Sequence, residues 1–423
     1  KPQARGVLLP QISAGGSWAT SEDSGTQFNF AFGSDIEVES ETDTSTWNVT
    51  LRQTLFRWNQ VVGLRQADKV VARAEAVREA AQQDLIIRVA QRYFDVLAAE
   101  DRLTSIHADR QAIARQLEQA RQRFEVGLIA ITDVQESQAA YDQSIANEIA
   151  AKRSLATARE FLREITGEYV AKLSAPKPDF PLQNPQPNSE RDWVDLSLSQ
   201  NLNLVASRLD EKLARDEIAL RRTGHYPTVD LEVSTGNRAS EGSGTTLGGP
   251  PDPTQPVSFA SDTDFDSDSI RVQFNLPLFE GGGTSSRVRE AVYLHRASRE
   301  QLQRVTRETE RQARDAYLGV LSEMSRVQAL DQAVASSRTA LEATQAGFDV
   351  GTRTIVDVLN SQRALYAAIT NYERARYDYI LNVLRLKQAA GNLQVQDLEE
   401  IDQRLIERKT PEEAFAEEAA QSS

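Results

Sequence analysis

Cysteine is missing from all 423 residues, which excludes a disulfide framework and any thiolate metal site. Long apolar runs are missing too. No stretch approaches the ~18–20 consecutive apolar residues that a spanning helix needs, so a passage across a membrane has to be made with strands. His107, His225 and His295 are the only histidines and stand far apart without ligand spacing. No nucleophile, base and orienter form a recognisable set, so the sequence points to no catalytic residue, no cofactor and no metal. Positive charge is in deficit, with 48 Lys plus Arg against 62 Asp plus Glu for a net charge of −14. That balance argues against a nucleic-acid backbone as partner. Mean hydropathy is −0.48, so much of the surface meets water.

Glycine and proline are scarce, 21 and 14 residues, and their positions organise what remains. FEVGLIAITDVQESQAAY (124–141) and FDVGTRTIVDVLNSQRAL (348–365) align without gaps, sharing Phe, Val, Gly, Ile, Asp, Val, Ser, Gln and Ala. Such a long internal repeat marks a duplicated unit. In each copy a glycine (Gly127, Gly351) interrupts a helical pattern and an aspartate (Asp133, Asp357) follows. Each copy is expected to form the tip of a helical hairpin.

Around the tips the chain reads twice as strand, loop, strand, long helix, tip and half-length helix. Trp47, Val49 and Leu51 alternate with Asn48, Thr50 and Arg52; Val229, Leu231 and Val233 alternate with polar neighbours; and Ile270, Val272, Phe274 and Leu276 do the same. Period two predicts strands. The stretch 21–45, acidic and turn-rich, is expected to be a loop extending the strands, and 237–268 a second loop. From Trp58 to Arg123 and from 285 to 347 apolar residues recur three and four apart, as in Leu103, Ile106, Ile113 and Leu117 or Tyr317, Val320, Met324 and Val327. Proline-free helices of about 65 residues span ~100 Å, a length typical of coiled-coil packing. The expected division is a first repeat over 1–165, a proline-rich equatorial linker over 166–190, a second repeat over 191–390 and an acidic tail over 391–423. The helix before Pro227 has no counterpart before Pro10, so the natural chain is expected to begin ~20–30 residues earlier.

Strands with one apolar face and a polar opposite face (Arg52, Asp230, Glu232, Arg271, Gln273, Asn275) follow the lipid-out, lumen-in pattern of a transmembrane barrel, with Trp18, Trp47 and Phe274 placed for interfacial girdles. Four strands cannot close, and an open edge in lipid leaves backbone groups unpaired. Copies of the chain must therefore associate. The helices, with sparse large apolar residues and charged outer faces, would likewise ring water.

QRYFDVLAAEDRL, ARQLEQARQRFEVGLIAITDVQ, LPLFEGGGTSSRV and FDVGTRTIVDVLNSQRALY resemble the TolC family of outer-membrane efflux channels, from about Leu9 to Leu398. The resemblance implies an α+β membrane protein: a homotrimer with a 12-stranded β-barrel, four strands per chain, continued by a periplasmic α-helical coiled-coil barrel. It implies an exit duct for tripartite efflux or type I secretion, located in the outer membrane and reaching through the periplasm. Its partners would be outer-membrane lipid, a periplasmic adaptor and an inner-membrane transporter of the RND, ABC or MFS type.

The resemblance also gives the tips a role. Arg353 would bond to Thr132 and Asp133 of a neighbouring chain, Asp357 would contribute to an acidic ring in the bore, and Gly127, Leu128, Gly351 and Thr352 would receive the adaptor. Two departures stand out. Phe348 replaces a family tyrosine, removing a hydroxyl link to Gln116 or Asp133, and Asn360 replaces a second aspartate, so fewer polar ties and a weaker cation preference are expected.

Simpler readings exist for several of these features. Asp133 and Asp357 suit helix capping after a turn, and Arg353 suits a solvated charge. Asp262, Asp264, Asp266 and Asp268 lack the glycine and glutamate of a calcium loop. Gly281–Gly283 lack the P-loop lysine. The rival from another class is a structural coiled-coil or adhesin-like protein, against which the lipid-facing alternation argues.

Overall fold

The computed structural model describes residues 1–29, 34–247 and 256–421. In chain order the elements are α1 (Pro2–Gly6), β1 (Gln11–Asn29), β2 (Ser34–Arg57), α2 (Trp58–Glu125), α3 (Ile131–Thr166), β3 (Ser174–Pro176), α4 (Glu190–Gln200), α5 (Leu202–Arg222), β4 (Thr228–Leu247), β5 (Pro256–Asn275), α6 (Gly283–Asp349), α7 (Ile355–Ala390), α8 (Val395–Asp402), β6 (Leu405–Glu407) and α9 (Pro411–Gln421). Their contacts separate into two units, Lys1–Arg73 with Leu209–Glu300 and Ala74–Arg208 with Gln301–Ser423. Each unit draws on both halves of the duplicated sequence. Among the described residues no helix is long and apolar enough to cross a membrane.

The first unit holds one antiparallel sheet in the order β1-β2-β4-β5. The alternating residues meet as their period requires: Val229 faces Phe274, Leu231 faces Val272 and Val233 faces Ile270. On the opposite face Arg52 pairs with Glu232 at 3.0 Å and Arg57 with Asp230 at 2.8 Å. The strands are longer than their apolar stretches suggest, at 19, 24, 20 and 20 residues. Residues 21–29, 34–45, 237–247 and 256–268 are ladder rather than loop, while 30–33 and 248–255 lie outside the described residues. The reason is that a ladder satisfies backbone N–H and C=O groups whatever the side chains are, and small hydroxyls bridge the strands. Thr20 Oγ1 donates to Asp43 Oδ1 at 2.6 Å and Thr44 meets Ser240 at 3.3 Å. Near its end β2 carries a bulge between Thr54 and Phe56. The extra residue, Leu55, turns Phe56 onto the face of Val229 and Leu231.

The second unit is helical. Its main core packs Phe94, Leu97 and Leu103 of α2, Leu155 and Leu162 of α3, Tyr317, Val320 and Val327 of α6, and Tyr377, Ile380, Leu381 and Leu384 of α7. Leu103, Tyr317, Val320 and Val327 are positions that the three-and-four spacing in α2 and α6 supplies. The linker is pinned rather than loose. Its β3 pairs with β6, Tyr93 Oη donates to the Ser174 carbonyl at 2.6 Å, and Trp193 Nε1 donates to the Pro187 carbonyl at 2.8 Å.

The helical chain before Pro227 forms two helices, α4 and α5, because Asn201 breaks it. Its Oδ1 caps Leu204 N at 3.0 Å while its Nδ2 reaches the Ala389 carbonyl at 3.0 Å. Gly391 stops α7 in the left-handed region, φ 78°, with the Gln200 carbonyl too close for any Cβ.

Candidate functional site at the two helical tips

Both tips lie in the second unit and use one device. A glycine in the left-handed region, Gly127 at φ 77° and Gly351 at φ 78°, reverses the chain, a conformation that costs other residues strain. Leu128 N then closes on the Arg123 carbonyl at 2.8 Å, and Thr352 N on the Gly347 carbonyl at 2.8 Å. In each tip the aspartate is the third residue of the returning helix, where a carboxylate faces the positive end of the helix dipole.

The caps differ. Thr354 precedes α7 and accepts from Asp357 N at 3.2 Å, while Asp357 Oδ2 accepts from Thr354 N at 3.0 Å. That reciprocal pair is a capping box. The Thr354 amide and hydroxyl, with Arg353 nearby, hold the Asp357 carboxyl below its ordinary 3.8. Ala130 precedes α3 and has no hydroxyl, so Asp133 receives no such partner. Among the described residues the Asp133 carboxylate, the Thr132 hydroxyl and the Arg353 guanidinium make no hydrogen bond or ion pair within the chain, and Thr132 and Arg353 are exposed. The capping reading thus holds in full for Asp357 and fails for Asp133.

Behind the turns, Phe348 is buried with Ile113, Ala140, Ile355, Val358 and Leu359, so α2, α3, α6 and α7 share one small core. Arg123 lies over the Phe348 ring, 4.7 Å from its centroid, and its Nη2 reaches Asp349 Oδ1 at 3.0 Å. Gln116 is buried and its Nε2 finds no partner among the described residues. Gln362 Nε2 of α7 donates to Asp109 Oδ1 of α2 at 2.7 Å, and burial raises the Asp109 carboxyl despite that bond. Asn360 is exposed one turn beyond Asp357.

The two ties between hairpins, Arg123–Asp349 and Asp109–Gln362, are absent from the sequence reading. A signal for the first existed: Arg123 stands where the other copy has Gly347. That glycine leaves room for the Arg353 stem, whose Cγ lies 2.8 Å from where a Gly347 Cβ would sit.

The comparisons with known proteins decide what such a pair of tips belongs to. The model of the family described as "Outer membrane efflux protein" matches residues 2–168 and 193–392. The chain belongs to the outer membrane efflux protein family. Outer membrane protein TolC of Vibrio cholerae is 36% identical over 401 residues, covering 94% of this chain and 86% of that protein. Alkaline protease secretion protein AprF of Pseudomonas aeruginosa is 28% identical over 413 residues, covering 96% and 82%. The crystal structure of the outer membrane protein VceC from Vibrio cholerae matches with a TM-score of 0.69 at 19% identity, over 92% of this chain and 89% of that one. This outer membrane efflux protein is therefore an outer-membrane exit duct that reaches into the periplasm. The coiled-coil scaffold or adhesin reading falls with that result.

Proposed function

We propose that three copies of the chain form the duct, each lending four strands to a 12-stranded barrel, and that the tips close its periplasmic entrance until an adaptor and an inner-membrane transporter of the RND, ABC or MFS type open it. The observation that carries this reading is a set of polar and charged groups without partners. Arg353 on the second tip and Thr132 with Asp133 on the first have no ion pair or side-chain hydrogen bond among the described residues, although neighbouring Arg123 is paired. A guanidinium and a carboxylate from adjacent chains complement each other there. The sheet supports association independently, since β1 and β5 each have one unpaired edge and lipid tolerates none.

Asp357 has its Oδ1 free of the capping box and keeps its charge at neutral pH, so three copies facing the bore would favour cations. The first tip exposes Val126 at 70% and Leu128 at 73% beside Gly127. Apolar groups raised on a turn suit an adaptor's apolar tip, with Gly351 and Thr352 completing the dock. Phe348, buried in hydrocarbon and capped by Arg123, offers no hydroxyl to Gln116, and Asn360 adds no second charge. The gate therefore has few polar ties, and release of Arg353 alone should loosen it.

Single-channel recording in planar bilayers tests this. Arg353→Ser is expected to raise the conductance of the resting channel several-fold. A conductance equal to that of the unaltered protein would remove Arg353 from the gate.

A further inference from the structure

We propose that lipid covers only the half of the sheet's outer face nearest the helices, and that the distal half stands in water as a wall of carboxylates. The cross-strand register carries the argument, resting on the outer-membrane location already given. Every second residue of a strand shares a face. One row of that face is apolar in all four strands: Ile12, Leu51, Val233 and Ile270 are mutual partners. Toward the helices the same face continues with Leu231 beside Val272, and with Phe56, Val229 and Phe274 side by side.

Away from the helices the face changes character. In β5 every second residue from Asp262 to Asp268 is acidic, and in β2 every second residue from Glu37 to Asp43 is acidic. The row through Thr20, Asp43, Glu241 and Asp262 has three carboxylates in four positions. These are the faces of Leu51 and Ile270, not the lumenal faces, because the register between β1, β2, β4 and β5 runs without interruption from one zone to the other. Carboxylates at that density do not lie in hydrocarbon.

The border is slanted in the way a barrel needs. The apolar zone reaches Trp18 in β1 and Trp47 in β2 but ends at Ile270 in β5. Trp18 shares its row with Asp264, six residues beyond Ile270. Strands tilted by about 45° shift a level line by ~14 Å, about four residues, across three strand spacings. The observed shift agrees within one side-chain step. Trp18 and Trp47, 71% and 50% exposed, thus mark the outer interface, where tryptophan belongs. On the inner face the distal half carries Ser17, Thr44, Thr46, Arg238 and Ser240, with Phe259 and Phe265 of β5 among its large apolar groups, so that wall is mostly polar as well.

The absence of cysteine makes the test direct. Single variants Glu39→Cys, Asp264→Cys, Val49→Cys and Val272→Cys are assembled in lipid nanodiscs, open to water at both ends, and labelled with a charged maleimide; Ser240→Cys on the inner face reports folding. Glu39→Cys and Asp264→Cys are expected to react at least tenfold faster than Val49→Cys and Val272→Cys, and the four rates to converge in detergent. Asp264→Cys reacting as slowly as Val272→Cys in nanodiscs overturns the proposal by placing the acidic zone within lipid. If Val49→Cys and Val272→Cys react as fast as the distal pair, lipid contact itself fails, and with it the membrane reading on which the border rests.

Discussion

The two tips began as one sequence and now differ in what they keep for themselves. The second tip packs and caps the groups behind its turn: Phe348 is 8% exposed, Ile355 is 1% exposed, and Thr354 with Asp357 closes a capping box. The first tip leaves the equivalent groups open, with Phe124 at 41%, Ile131 at 49% and no side-chain cap on α3. The second copy buries and caps the groups behind its turn while leaving Val350 and Arg353 outside, and the first leaves even those inner groups open. A duplicated fold thus yields one tip packed behind its turn and one left open there, without any change in the turn itself.

The contrast is broken most severely at the phenylalanines. Phe348→Ala should cost ~3–5 kcal/mol as a buried aromatic lost from a packed core, whereas Phe124→Ala should cost no more than ~1 kcal/mol as a partly exposed one. Thermal unfolding followed by circular dichroism measures both. Equal losses would mean that Phe124 is covered in the assembly and that the asymmetry ends with the isolated chain.

A smaller effect is expected at the caps. Thr354→Ala should destabilise the start of α7 by ~1 kcal/mol, and Ala130→Thr should protect the start of α3 by up to about the same amount. Hydrogen exchange of the first-turn amides reads both changes. No protection from Ala130→Thr would show that the first tip is already held by something other than its cap.

The third contrast is electrical. Asp357→Asn should relieve block by divalent cations, while Asp133→Asn should leave block in place and loosen the resting gate. Because the Asp357 carboxyl is held below 3.8 in the folded protein, its charge is present above that range and is lost as pH falls through the lowered value. Cation preference should therefore be flat from pH 7 to about 4, near the unperturbed carboxylate range, and fall only below it. Loss of preference near pH 5 would assign the selectivity to another group.

Much of this was legible beforehand. The repeat located both turns and the half-length helices that return from them, the three-and-four spacing located α2 and α6, and period-two alternation located the part of the strands with an apolar face. The distal halves of the strands were not legible. Ser, Gly and Asp there are turn-formers by propensity, and nothing local announces that a partner strand will pair their backbones. The unlike caps were partly legible, since Thr354 against Ala130 is visible in the repeat. The Gln362–Asp109 tie was not, and the Arg123–Asp349 tie left only Arg123 in place of Gly347 as a trace, because residues so distant in sequence meet only once four helices have packed.

The extra residue in β2 sets one more thing. Until Leu55 the strand keeps a single phase; after it, Phe56 swings outward and Arg57 inward to Asp230. Trp58 follows at once as the first residue of α2, its ring stacked on Phe56 at 6.5 Å. A half-step slip in a ribbon thereby chooses the azimuth at which the first turns of α2 leave the sheet, much as a keyway clocks a shaft.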